Sequence, residues 1–171
     1  MPGNKERLDQ AIRDTTIRAG KYLTFVLEKE AYGIGILKVK EIIGMMPITP
    51  VPRTPAFVKG VINLRGKVIP VIELRSKFEM VSIPYSDRTC IIVVEVDSND
   101  ATVLVGIVVD SVSEVMNIAG ETIEKAPSFG AKMNTAYILG MAKTDGGVKI
   151  LLDIDKVLSG NEIVSLEKVS K

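Results

Sequence analysis

The chain has 171 residues, of which 46% are apolar and 25% charged, a balance typical of a folded globular protein. Lys and Arg number 22 against 21 Asp and Glu, so a net charge of +1 gives no overall attraction to nucleic acid or anionic lipid. The chain contains no histidine, which excludes a histidine general base, a Ser-His-Asp triad and a histidine-ligated metal.

The first residues mix charges with isolated apolar side chains, so we expect residues 1–20 to form a partly disordered tail. No apolar run approaches the length that spans a bilayer, which favours a cytoplasmic protein without direct membrane insertion. The single cysteine, Cys90, allows no internal disulfide and agrees with a reducing compartment.

From residue 22 onward, short runs of β-branched residues alternate with turn residues, which predicts a mostly β protein. The predicted strands cover residues 22–27, 60–64, 68–72, 90–96, 102–109, 137–142 and 148–152. Gly, Asn and Asp at residues 65–67, 97–100 and 144–147 form turns, two of which are typical of hairpins. Short helices are predicted at residues 73–78 and 153–158, and a C-terminal helix at residues 161–171.

The middle of the chain contains an internal repeat. Residues 33–42 align with residues 106–115 at an offset of 73, and three short segments of residues 56–74 align with residues 136–154 at an offset of 80. A small sheet that curls on itself loses its exposed edges. The repeat therefore predicts two small five-stranded SH3-like β-barrels around a shared hydrophobic core, the first over about residues 21–80 and the second over about residues 87–160.

The sequence offers little catalytic chemistry. Gly33 and Gly35 lack the third glycine of a dinucleotide-binding loop. Glu73 and Asp153 occupy equivalent positions in the repeat and could form an acid–base pair, but we expect each to begin a short helix and interact with free backbone N–H groups. An enzyme using carboxylates stays an alternative. So does a nucleic-acid-binding barrel, although 5% aromatic residues and no Trp argue against base stacking.

The stretch VKGVINLRGKVIPVIELR over residues 58–75 lies between Thr54-Pro55 and Phe78 and resembles the signature of the CheW family of chemotaxis coupling proteins. Tyr32-Gly33 and residues 36–42, 106–110 and 153–158 are also similar to that family. The resemblance implies a CheW-like domain over residues 21–160 with the two-barrel fold, no enzymatic activity and no cofactor. The same barrels occur in CheA and CheV, and the resemblance leads us to expect a stand-alone coupling protein without their additional domains.

The resemblance also implies partners. We expect a non-enzymatic adaptor that joins the cytoplasmic tip of chemoreceptors, the methyl-accepting chemotaxis proteins, to the regulatory domain of the histidine kinase CheA. The expected complex is a ternary scaffold in the cytoplasm, recruited to membrane receptor arrays. No nucleic-acid partner is expected, and the isolated chain is expected to be a monomer.

Arg65 matches the arginine of the family's NLRG motif, which implies receptor coupling; the alternative is an ordinary solvated turn residue. Val39, Glu41, Gly106 and Val115 are expected to flank a receptor groove between the barrels, while core packing is the alternative for the two valines.

Three further residues of the signature, Lys59, Gly60 and Gly66, are predicted to lie at a kinase or receptor interface. For Gly60 the alternative is a purely conformational requirement of the backbone.

Overall fold

The computed structural model of the protein describes residues 20–98, 101–125, 136–158 and 162. The predicted tail over residues 1–20 and the predicted helix over residues 161–171 lie outside the described residues, except for Gly20 and Glu162. The described part consists mainly of strands, which confirms the predicted mostly β fold.

Eleven strands and two one-turn α-helices are present in the described part of the chain. The strands are β1 (Gly20–Leu27), β2 (Glu30–Gly35), β3 (Val39–Gly44), β4 (Val58–Leu64), β5 (Lys67–Glu73), β6 (Cys90–Ser98), β7 (Ala101–Val109), β8 (Ser111–Ile118), β9 (Ile123–Glu124), β10 (Ile138–Thr144) and β11 (Gly147–Leu152). The helices are α1 (Leu74–Lys77) and α2 (Ile154–Val157), and 3-10 turns cover Ile36–Lys38 and Gly120–Thr122. Strands β2, β3, β8 and β9 lie outside the predicted strand ranges.

The strands form two sheets. The six-stranded sheet has the order β8-β1-β2-β11-β10-β9, and the five-stranded sheet has the order β3-β6-β7-β5-β4. Residues 119–122 connect the two edge strands β8 and β9. Such a link spans at most roughly 18 Å, whereas the edges of six flat strands lie about 24 Å apart, so this sheet must curl.

The five-stranded sheet curls as well. Thr49, in the segment after edge strand β3, exchanges two backbone hydrogen bonds of 2.9 Å with Val61 of the opposite edge strand β4. Two curled sheets fit the predicted SH3-like architecture, although one of them has six strands rather than the predicted five.

Each sheet combines strands from both predicted halves of the chain. Strands β1 and β2 pair with β8 and β11, whereas β3 and β5 pair with β6 and β7. The predicted division into residues 21–80 and 87–160 therefore does not describe the two sheets. The repeated units exchange strands, and the chain crosses from one sheet to the other after β2 and again after β7.

The repeat itself is visible in the strand register. Val71 of β5 faces Gly106 of β7 in one parallel pair, and Leu151 of β11 faces Gly33 of β2 in the other. The two hairpin residues differ by the offset of 80 and the two glycines by the offset of 73. The sequence repeat therefore corresponds to equivalent positions in the two sheets.

The buried apolar side chains form three clusters, one of which joins the two sheets. The largest contains buried residues from both sheets, including Phe25, Ile92 and Ile107. One smaller cluster lies within the five-stranded sheet and the other within the six-stranded sheet. This distribution agrees with two curled sheets around a shared core, because each curled sheet encloses its own apolar side chains and also packs against its neighbour.

Each repeated hairpin is followed by a one-turn helix, preceded by Glu73 or Asp153 as predicted. The Asp153 carboxylate accepts a hydrogen bond of 3.1 Å from the Asp155 N–H, which is the expected capping contact. Glu73 makes no such contact. Its carboxylate is buried and accepts hydrogen bonds from the Ser82 and Tyr85 hydroxyls instead, at 2.7 and 3.0 Å.

Candidate protein-binding surface

The hairpin between β4 and β5 carries Arg65 at its tip. Arg65 and Gly66 have φ angles of 51° and 87°, as in the two-residue turn that fits the twist of a hairpin. The Gly66 N–H donates a hydrogen bond of 2.9 Å to Asn63 Oδ1, which fixes the turn further. The Arg65 side chain is 70% exposed. The hairpin therefore presents a guanidinium to the solvent on a well-defined backbone.

Arg65 is not a free turn residue, because its guanidinium pairs with the Glu41 carboxylate on β3. Nη1 donates to Oε2 at 2.9 Å, and Nη2 donates to Oε1. Strands β3 and β4 are opposite edges of the five-stranded sheet, so this ion pair connects the two edges. The hydrogen bonds from Arg65 hold the pKa of Glu41 below its usual value, and Glu41 raises the pKa of Arg65. Both groups are charged at neutral pH.

An open groove of about 700 Å³ lies beside this ion pair on the five-stranded sheet. Aliphatic side chains line part of it, and a Lys40–Glu95 ion pair of 2.5 Å lies at its border. Its lining residues include Lys40, Leu64, Lys67, Ile69, Glu95 and Leu104. A surface that combines aliphatic and charged groups in this way suits a polypeptide partner better than a small metabolite.

The remaining predicted receptor residues do not gather around this groove. Val39 is half-buried, faces Val94 and packs against the shared core. Val115 is 50% exposed on β8, the edge of the other sheet. Gly106 is buried in the central strand β7, where an added Cβ would lie 2.8 Å from Ile91 Cγ2. Gly106 is thus a packing position and offers no exposed surface.

The two signature glycines differ in role. Gly60 has a φ of 144°, and an added Cβ would lie 2.0 Å from the Thr49 carbonyl oxygen, so the backbone there requires glycine. Gly66 is exposed at the hairpin tip, with open space around its Cα. Gly60 is therefore explained by the chain conformation, while Gly66 belongs to the surface that carries Arg65.

Lys59 belongs to a cluster around the buried Glu73 carboxylate. Its Nζ lies 3.1 Å from Glu73 Oε2 and 5.7 Å from the centre of the Tyr85 ring. Burial alone would raise the pKa of Glu73, but hydrogen bonds from Ser82, Lys59 and Tyr85 outweigh burial and hold this pKa below its usual value. The cluster fastens the segment between α1 and β6 to the five-stranded sheet.

Sequence reasoning missed a second groove, of about 510 Å³, on the six-stranded sheet. It is lined mainly by apolar residues around the turn Ile36–Lys38. Leu37 in this turn is 91% exposed, the largest exposure among the large apolar residues of the described chain. Leu37 adjoins Ile36, Leu139 and Ile154 in this groove, and a contiguous apolar patch of this kind marks a contact surface that sequence periodicity does not reveal.

An ion pair between Arg75 and Asp110 was also missed. The guanidinium donates from Nε to Oδ1 at 2.7 Å and from Nη2 to Oδ2 at 2.6 Å. Asp110 Oδ2 also accepts a hydrogen bond of 2.9 Å from the Glu28 N–H in the turn after β1. Arg75 follows the five-stranded sheet and Glu28 belongs to the six-stranded sheet, so this pair links the two.

The structure offers no group of three or more metal-ligating side chains within the residues it describes. In the same part of the chain, every helix is too short or too polar to cross a membrane. What the fold does provide is two grooves and a fixed, exposed ion pair on a duplicated β scaffold. These features define a small binding module.

Comparison with known proteins identifies the family of this module. The CheW-like domain matches residues 21–162. The chemotaxis protein CheW of Klebsiella aerogenes is 42% identical over 151 residues, which cover 88% of this chain and 89% of the relative. The chemotaxis protein CheW of Thermotoga maritima is 33% identical over 139 residues, which cover 80% of this chain and 85% of the relative.

Among solved structures, the scaffolding protein TtCheW from Thermoanaerobacter tengcongensis superposes with a TM-score of 0.73 at 36% identity, covering 84% of this chain and 97% of that one. The chain belongs to the CheW-like domain family. Its function is that of a chemotaxis scaffold, in agreement with the resemblance in its sequence.

Proposed function

We propose that this scaffold couples the cytoplasmic tip of chemoreceptors to the regulatory domain of the histidine kinase CheA, and that it has no enzymatic activity. The observation that carries the proposal is the Arg65–Glu41 ion pair beside the groove, because it orients a guanidinium at the position of the family's signature arginine. The family relationship supports the same conclusion. The proposed place of action is the cytoplasm, at membrane receptor arrays.

A receptor tip fits the groove on the five-stranded sheet as an amphipathic helix. Its apolar side chains would lie on the aliphatic lining, which includes Leu64 and Leu104, and its polar side chains would meet the charged border. Arg65 has N–H groups to spare beyond its two bonds to Glu41, so it can also donate to a carboxylate or carbonyl of the receptor. Glu41 thus positions Arg65 for this contact.

Charge reversal at Arg65 tests this proposal. Arg65→Glu is expected to weaken binding of a receptor-tip fragment on the order of tenfold, because a central guanidinium is lost and a like charge faces Glu41. The swapped variant, Arg65→Glu with Glu41→Arg, restores the ion pair but moves the guanidinium to β3, so it is expected to bind weakly as well. Binding is measured by calorimetry and folding by thermal melts.

The matched control is Asp145→Lys, a charge reversal at the equivalent hairpin tip of the six-stranded sheet, where Asp145 is exposed. It is expected to bind the receptor fragment normally. Undiminished binding by Arg65→Glu with an unchanged melt would contradict the proposed contact. Full recovery of binding in the swapped variant would show that the ion pair only supports the hairpin.

The kinase requires a separate surface, because an adaptor holds both partners at once. We assign it to the second groove, since an apolar side chain as exposed as Leu37 gains most from contact with an apolar patch on a partner. Leu37→Asp is expected to weaken binding of the CheA regulatory domain on the order of tenfold while receptor binding stays unchanged. Val148→Asp is the control, because Val148 is 50% exposed and does not line that groove.

A further inference from the structure

Two ion pairs lie at corresponding places in the two repeated units, each between a one-turn helix and the segment that follows the neighbouring parallel strand. Arg75 in α1 binds Asp110, which lies between β7 and β8, at 2.6 Å. Asp155 in α2 binds Lys38, which lies between β2 and β3, at 2.7 Å. Arg75 and Asp155 are related by the offset of 80. Lys38 and Asp110 both lie just beyond the strand that pairs in parallel with a repeated hairpin.

The two sites share a third component, a backbone N–H from a hairpin of the opposite sheet. The Glu28 N–H donates to Asp110 Oδ2 at 2.9 Å, and the Asp97 N–H donates to Asp155 Oδ1 at 2.9 Å. The architecture is therefore the same, but the charges are reversed. The helix supplies the cation in the Arg75–Asp110 pair and the anion in the Lys38–Asp155 pair.

The repeat makes a second arrangement of strands available to this chain. In that arrangement, each repeated unit keeps its own strands, so β5 pairs with β2 and β11 pairs with β7 to give two self-contained sheets. Helix α1 would then lie beside the segment between β2 and β3, and helix α2 beside the segment between β7 and β8. We call these two segments the junctions. Arg75 would face Lys38, and Asp155 would face Asp110, so both sites would bring like charges together.

We infer that the reversed polarity of the Arg75–Asp110 and Lys38–Asp155 pairs selects the exchanged arrangement of strands over two self-contained sheets. The local sequence cannot make this choice, because the same strands form in both arrangements. Like charges at a partly buried contact are unfavourable, whereas opposite charges with hydrogen bonds are tolerated. Discrimination of this kind works by penalising the alternative structure as well as stabilising the observed one.

The decisive variant removes the discrimination and keeps one ion pair at each of the two sites, although it loses the Lys38–Asp97 contact. Lys38→Asp with Asp155→Lys gives both helices a cation and both junctions an anion, so the two arrangements become equally paired. These side chains are 30% and 28% exposed, which makes this site the more tolerant one. Asp97, which also binds Lys38, is 63% exposed and can turn to the solvent.

A competition between two disulfides reports which arrangement has formed. Lys21 faces Asn117 between β1 and β8, as Cys90 faces Gly44 between β6 and β3. In self-contained sheets β8 pairs with β6, so Cys90 would face residue 117. A protein with Lys21→Cys and Asn117→Cys keeps Cys90 and can form either bond, since directly opposite residues lie within disulfide reach.

The protein is refolded from urea under oxidising conditions, and its disulfides are mapped by peptide mass spectrometry. Without changes to the ion pairs, we expect only the 21–117 bond. With Lys38→Asp and Asp155→Lys, we expect the 90–117 bond to appear beside it. Adding Arg75→Asp and Asp110→Arg restores opposite polarity at the two sites, and the 90–117 bond is expected to disappear again.

We call the variant with Lys38→Asp and Asp155→Lys the polarity-matched variant. If it forms only the 21–117 bond, the inference is overturned, because the exchange of strands would then persist without charge discrimination. A polarity-matched variant that forms neither bond would also count against it, since each retained ion pair should suffice for folding. This result does not depend on receptor or kinase binding, so it is separate from the proposed function.

Discussion

The Arg75–Asp110 pair allows a quantitative prediction about stability. Asp110→Asn keeps the shape of the side chain and an oxygen that can accept the Glu28 N–H, but removes the negative charge opposite Arg75. Arg75 is only 8% exposed, so its guanidinium cannot recover full hydration when the partner charge disappears. The substitution therefore leaves a largely buried cation without its ionised partner, with one remaining hydrogen bond of 2.9 Å from Nη1 to the Val81 carbonyl.

Removal of one partner from a buried ion pair typically costs about 3–5 kcal/mol. The Asp110 side chain is 23% exposed, so solvent screens part of the interaction and the loss should lie at the low end of that range. We expect Asp110→Asn to lower the free energy of unfolding by about 3 kcal/mol. For a chain of this length, such a loss corresponds to a decrease in Tm of roughly 9 °C.

The effect also has a defined pH dependence. Hydrogen bonds from Arg75 hold the pKa of Asp110 below its usual value in the folded protein. The stabilisation is therefore complete above the unfolded-state pKa of about 3.9 and is lost as the pH falls through the lower folded-state pKa. Urea denaturation of the wild type and Asp110→Asn should show a large difference at pH 7 that shrinks in strong acid. Equal urea midpoints at pH 7, or a difference that persists unchanged in acid, would refute this reasoning.

Two other features of the five-stranded sheet give further predictions. Gly60→Ala is expected to destabilise the protein by more than about 2 kcal/mol in urea denaturation, because its Cβ would collide with the Thr49 carbonyl. Gly66 lies in open space, so Gly66→Ala is expected to cost only the strain of its positive φ angle, about 1 kcal/mol. Equal losses for the two would contradict the assigned roles. Tyr85→Phe removes a hydrogen bond to the buried Glu73 and is expected to cost about 1 kcal/mol and to speed proteolysis within residues 79–89. Unchanged proteolysis would show that this bond does not fasten the segment.

Sequence patterns predicted the strands wherever the local signal was strong. Strands β6 and β7 are runs of β-branched residues buried on both faces, and such runs are recognisable from sequence alone. Strand β2 contains Gly33 and Gly35 within six residues, which weakens any strand pattern. A Cβ on Gly33 would lie 3.0 Å from Leu151 Cδ2, so a larger residue would fit tightly there, and that contact depends on strand pairing.

In the candidate site, too, contacts that depend on strand pairing could not be predicted from the sequence. The family signature indicated Arg65, and Glu41 was named separately, but their pairing was not foreseen because it joins opposite edges of a curled sheet. Gly106 was assigned to a surface because the repeat gave its position along the chain but did not show that it is buried in the central strand β7. The strand exchange was missed for a physical reason: both arrangements place the same residues in the same strands, and only long-range contacts distinguish them.

The repeat also explains how one small fold can present two different surfaces. The residues equivalent to Arg65 and Glu41 in the other unit are Asp145 and Glu114, at offsets of 80 and 73, and both are exposed. Two carboxylates cannot form the ion pair that Arg65 and Glu41 form, so the six-stranded sheet has no oriented guanidinium at that position. A partner that requires this cation is therefore confined to the five-stranded sheet, which leaves the other sheet available to a partner with different chemistry.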